Sequence, residues 1–70
     1  MPTVAPTFNP DRMRAIREQK GLSREALAAL CPNVSVQAIQ AYEQRRNRPD
    51  INRALEIAEA LGCTVHHFTS

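Results

Sequence analysis

Ser35, Val36, Gln37 and Gln40 stand in one short stretch, "SVQAIQAYE", and are followed by Arg45, Arg46 and Arg48 in "RRNRPD". If the stretch is helical, Gln40 lies one turn beyond Val36 and Gln37, and all four residues share the face opposite Ile39 and Tyr42. A glutamine amide sets a donor beside an acceptor, the pattern that pairs with N6 and N7 of adenine. A β-branched apolar residue such as Val36 gains nothing on a solvated face, but it does gain against a thymine methyl group. The arginines supply charge suited to a polyanion. The plain alternative is a surface helix with Val36 tucked into the core and a solvated basic loop behind it.

Other chemistries find less support. Cys63, His66 and His67 are conceivable metal ligands, but a structural zinc site needs four and Cys31 is the only other thiol. Ser, His and Asp occur without spacing that would assemble a nucleophile, base and acid. With 70 residues the chain has room for one small domain and little room for a pocket holding cofactor and substrate together. The expectation is a non-enzymatic chain with no catalytic residues, no metal and no cofactor.

Charge is unevenly spread. Residues 1–53 hold all nine basic groups and five acidic ones, a net of +4, whereas residues 54–70 hold only Glu56 and Glu59, a net of −2. A polyanion would meet the basic side. Cys31 and Cys63 sit among apolar residues and read as small buried hydrophobes rather than as a disulfide. No stretch has the pattern of a signal peptide or the length of a membrane span.

The elements that must position these residues are all helical. "MPTVAPTFN", with Pro2 and Pro6, reads as a flexible or extended tail over residues 1–9, which leaves 10–70 as the domain. Asn9 before Pro10 starts a first helix, "PDRMRAIREQK", with Met13 and Ile16 on one face and Gly21 as its stop. Ser23 caps "REALAALC", with Leu27, Leu30 and Cys31 on a shared face, and Pro32 breaks it. Ser35 caps the third helix. Asp50 caps "INRALEIAEAL", where Ile51, Leu55, Ala58 and Leu61 form a stripe, and Gly62 ends it. Thr64 opens a last turn, "VHHFTS". With no strand candidate, the fold class is all-α, a compact bundle of four to five short helices. The second and third helices are too short for a freestanding hairpin and suit a helix-turn-helix held by the first and fourth.

At this point the sequence resembles a known family, the Cro/repressor-type or XRE-family helix-turn-helix proteins, whose fold is lambda-repressor-like. The resemblance runs from residue 10 to 68 and rests on "IREQKGLSREALA" (Ile16–Ala28), "IQAYE" (Ile39–Glu43) and "RPDINRALEIAEALGCTVHHF" (Arg48–Phe68). It implies that Ala28 is the small residue at the crossing of the second and third helices and that Glu43 pairs with Arg17. Ser35, Val36, Gln37, Gln40 and Ala41 fall where the family contacts bases. Arg24, Arg45, Arg46, Asn47 and Arg48 fall where it contacts phosphates.

The implied function is a sequence-specific DNA-binding transcriptional regulator, a repressor, bound to double-stranded DNA as a homodimer on a two-fold operator. The dimer surface would come from the fourth and fifth helices or the loop before them, with Leu61, Val65 and Phe68 as candidates if exposed. The setting would be the cytoplasm of a bacterium or phage-infected host, with no membrane association. The rival expectation is an interaction module, antitoxin-like or host-factor-binding, with a protein partner.

Two departures bear on these assignments. Ala28 to Ile39 spans eleven positions where the common pattern spans ten, which adds a residue to the turn and bears on the register of the third helix. Asn33, with Pro32, stands where glycine is usual and is expected to tolerate a left-handed backbone. Arg45 also replaces a frequent glycine and would be strained if left-handed.

Overall fold

Four side-chain caps set the helix boundaries in the computed structural model, which describes residues 8–69. Asn9 accepts from the Asp11 N–H at 3.0 Å and opens α1, Pro10–Gln19. Ser23 accepts from the Ala26 N–H and opens α2, Arg24–Ala29. Ser35 does the same for Ala38 at the start of α3, Val36–Glu43, and Asp50 for Arg53 at the start of α4, Ile51–Leu61. Each cap satisfies an amide that the first helical turn leaves without a partner. Gly21 and Gly62, both at φ 70°, provide the left-handed exits from α1 and α4. A 3-10 turn, Val65–Phe68, closes the chain.

The result is the expected all-α bundle, and among the described residues no β-strand is formed. Its core is built from Met13, Leu27, Cys31, Val34, Ile39, Tyr42, Ile57, Ala58, Leu61 and Phe68. α2 packs on α3, α1 supports α3 and the closing turn, and α4 backs α2. Both cysteines are free thiols, with Cys31 buried and Cys63 half-buried.

Three expectations are corrected here. α2 ends at Ala29, before the residues expected to finish it, and Leu30 is 54% exposed rather than sharing the core face of Leu27 and Cys31. Val34, in the turn, fills the core instead. α4 buries Ile57, Ala58 and Leu61, while Ile51 and Leu55 are 62% and 50% exposed. The sequence of α4 carries two overlapping apolar stripes, and the bundle uses the one through Ile57. Finally, Asn33 is not left-handed: among the described residues Arg45, at φ 63°, is the only non-glycine with positive φ.

Of the tail expected at residues 1–9, residues 1–7 lie outside the described residues. Phe8 and Asn9 are part of the fold. Phe8 forms an antiparallel bridge with Thr69, its ring meets Phe68 edge-on with centroids 6.3 Å apart, and the Asn9 N–H donates to the Phe68 carbonyl at 2.6 Å.

Arg45 leaves α3 in a conformation that costs an L-residue roughly 1–2 kcal/mol. Its exposed ion pair with Asp11 offsets little of that. Arg45→Gly is therefore expected to stabilise the domain by about 1 kcal/mol, less the extra entropy glycine has when unfolded. Urea denaturation would show a higher midpoint at unchanged slope, and a lower midpoint would refute the strain.

Candidate nucleic-acid interface

α3 has two unlike faces. Ile39, Tyr42 and Glu43 point into the bundle. Ser35 and Gln37 are exposed, and Val36, Gln40 and Ala41 are half-buried, so the five residues assigned to base contact all reach solvent. Val36 is not part of the core cluster. Among the described residues, the Gln37 and Gln40 amides have no hydrogen-bond partner. The Ser35 hydroxyl accepts its capping bond from Ala38 and keeps its own proton to donate.

The inner face is locked by a buried carboxylate. Glu43, with a side chain 1% exposed, takes the Arg17 Nε at 2.7 Å and the Arg17 Nη2 at 3.1 Å, a bidentate pair. Arg17 also donates from Nη1 to the Leu22 carbonyl at 2.7 Å, tying the loop before α2 to the same centre. This is the pair expected from Arg17 and Glu43. The structure adds a third member: the Arg24 Nε donates to Glu43 Oε1 at 2.9 Å. Arg24, assigned to phosphate, thus commits one edge of its guanidinium inward, while its side chain stays 34% exposed. Nothing in the local sequence marks this second bond, because Arg24 and Glu43 lie on different helices. Burial alone would push the Glu43 carboxyl up, but the hydrogen bonds and charges of Arg17 and Arg24 outweigh it and hold the group below its ordinary value.

Beyond α3, Arg45, Arg46, Asn47 and Arg48 are all exposed and, with Phe8 and Pro10, line a shallow cleft beside the start of α1. Arg45 reaches Asp11 at 2.8 Å. The Asn47 side chain accepts from the Arg48 N–H at 2.9 Å and stiffens the loop. Among the described residues Arg46 and Arg48 have no acidic partner, so their charge faces solvent. Arg14 is held by Glu18 on the outer surface of α1. The arrangement can therefore place two free amides and a half-buried valine in a groove while cations grip an anionic backbone on one side.

The residues nominated for an association surface are placed differently. Leu61 and Phe68 are buried and Val65 is half-buried. Among the described residues the large exposed apolar side chains are Leu30, Ile51 and Leu55. Ile51 borders a groove with Phe8, Pro49, Ala54, Val65 and Phe68.

Comparison with known proteins bears on the family and the fold. The family model described as helix-turn-helix matches residues 13–68. An uncharacterised HTH-type transcriptional regulator of Rickettsia prowazekii is 37% identical over 62 residues, which cover 89% of this chain and 47% of that protein. The chain thus spans about half the length of the curated relatives it matches. Among solved structures, the P22 c2 repressor in complex with a synthetic operator is 26% identical with a TM-score of 0.78, covering 89% of this chain and 92% of that one. Hydroxypropylphosphonic acid epoxidase from S. wedmorenis, at 21% identity and a TM-score of 0.79, shares the fold over 94% of this chain and 36% of its own.

Removing the central charge tests the lock. Glu43→Gln leaves the buried Arg17 with only the exposed Glu18 carboxylate, 3.9 Å away, as counter-charge and is expected to cost about 3 kcal/mol at neutral pH. Because the folded-state value is depressed, the carboxylate's contribution is complete above its ordinary value of 4.5 and fades as pH falls through the folded value. Denaturation of both proteins across acid pH should show the gap between them closing. A gap independent of pH would refute the charge-based account.

Proposed function

The chain belongs to the helix-turn-helix family, and from that premise we propose that it is a sequence-specific DNA-binding transcriptional regulator. The observation that carries the reading is the outward face of α3. Gln37 and Gln40 present unpartnered amides beside Val36, and the basic loop follows directly. In this reading α3 lies in the major groove. Ser35, Val36, Gln37, Gln40 and Ala41 meet base edges there, with Gln to adenine and Val36 to a thymine methyl as the favoured chemistry. Arg24, Arg45, Arg46, Asn47 and Arg48 grip phosphates, which supplies affinity and salt dependence but no sequence choice.

One such helix covers only a few base pairs, so the protein acts as a homodimer on a two-fold operator, and as a repressor by occupying it. The cytoplasm of a bacterium or phage-infected cell is the setting this implies, and the domain works by binding alone, without catalysis or cofactor.

A second reading is favoured by a different observation. Leu30, Ile51 and Leu55 are large, apolar and exposed, which suits a protein partner. A module of that kind would hold its partner with little sensitivity to salt, unlike arginines on phosphate.

Selection from a pool of random-sequence duplex DNA at moderate salt tests the proposal. An enriched motif with two related half-sites is the expected result, and an unenriched pool from folded protein would overturn it. On that motif, Gln40→Ala is expected to lose about 1–3 kcal/mol while hardly affecting scrambled duplex. Arg48→Ala should weaken both duplexes alike and reduce the salt slope by about one. The reverse pattern would dismiss these two assignments.

A further inference from the structure

The turn between α2 and α3 runs from Leu30 to Ser35, and the structure shows what holds it. Cys31 and Val34 turn inward as part of the core, while Pro32 and Asn33 are exposed. The Val34 N–H reaches the Cys31 carbonyl at 3.1 Å, which closes the turn locally. The Asn33 backbone N–H has a different acceptor. It donates to Glu56 Oε2 at 2.9 Å, and the Asn33 side-chain Nδ2 donates to Glu56 Oε1 at 3.1 Å. Both oxygens of one carboxylate are thus occupied by two donors of one residue. The Cys31 thiol also lies 4.0 Å from the Glu56 carbonyl, so the same residue of α4 meets the turn twice.

A two-point contact fixes orientation as well as distance. Val34, buried among apolar side chains, sets how deep the turn sits but offers no directional bond. Asn33 lies just ahead of Ser35, whose cap starts α3. A change of rotation at Asn33 passes directly to Ser35, Val36 and Gln37.

We infer that Glu56 is a positioning residue that sets the rotation of α3, and through it which side chains of the first turn meet the bases. It acts through Asn33 without touching DNA itself. The inference rests on the DNA-binding reading for its effect on specificity, but the clamp itself is a property of the protein alone.

The test uses Glu56→Ala, which removes both acceptors, and Glu56→Gln, which keeps one oxygen for the Asn33 N–H. Each is taken through the random-duplex selection beside the unaltered protein, at a temperature where circular dichroism shows all of them folded. Glu56→Ala is expected to bind the selected motif about tenfold more weakly, the scale of one lost base contact, while its binding to scrambled duplex stays unchanged. Its preference should shift at the base pairs nearest the start of α3, with Glu56→Gln in between. In protein free of DNA, the Asn33 amide should exchange faster in Glu56→Ala by NMR.

The same motif with the same ratio of specific to non-specific affinity would overturn the positioning role. Unchanged Asn33 exchange would overturn the clamp. An unenriched pool for the unaltered protein would overturn the DNA-binding reading and the specificity claim with it, and the Asn33 exchange would still decide the clamp. Glu56→Gln serves the same comparisons if Glu56→Ala does not fold.

Discussion

A single carboxylate, Glu43, holds three parts of this small bundle in register. It is the last residue of α3, it lies almost wholly out of solvent, and it receives Arg17 from α1 and Arg24 from the start of α2. A buried charge is costly unless it is paired and fully hydrogen-bonded. That penalty fixes the C-terminal end of α3: Glu43 cannot leave Arg17 and Arg24 without baring a charge. Apolar contacts at Ile39 and Tyr42 tolerate small shifts. The ion cluster does not, so the last turn of α3 inherits its placement from a bond network on its inner side.

The two ends of α3 are constrained differently. At its start, the turn is held from α4 through Asn33. At its end, Glu43 anchors the helix and Arg45 then leaves it in a left-handed conformation. An arginine here places a long cation over the cleft at the start of α1, at the cost of local backbone strain. The loop after α3 therefore combines a strained exit with charge kept near the surface.

Much of this was legible from residue type and spacing. The caps at Asn9, Ser23, Ser35 and Asp50 and the stop at Gly62 follow from local chemistry, since each requires only a side chain and the adjacent backbone. Arg17 with Glu43 was legible only through the family resemblance. What escaped is what depends on distant partners. The Asn33 acceptor lies 23 residues away, and no pattern around Asn33 announces it. Arg24 reads locally as a cation at a helix start, and only the folded bundle shows Glu43 beside it. On α4 the expected Ala58 and Leu61 are buried, but whether Ile51 and Leu55 or Ile57 joins them is decided by the neighbours, because either choice satisfies a helical period. Leu30 was misplaced for a related reason: the period allows it inside, but in the bundle Val34 is buried and Leu30 is left exposed.

The bridge between Phe8 and Thr69 and the bond from Asn9 to Phe68 bring the two edges of the fold side by side. A domain entered and left through one narrow neck can be set into a loop of another protein without stretching either. For the same reason a short linker could join the two edges and new ends could be opened elsewhere, preferably in an exposed turn far from α3. The architecture is thus portable: the points at which the bundle is entered and left already sit together.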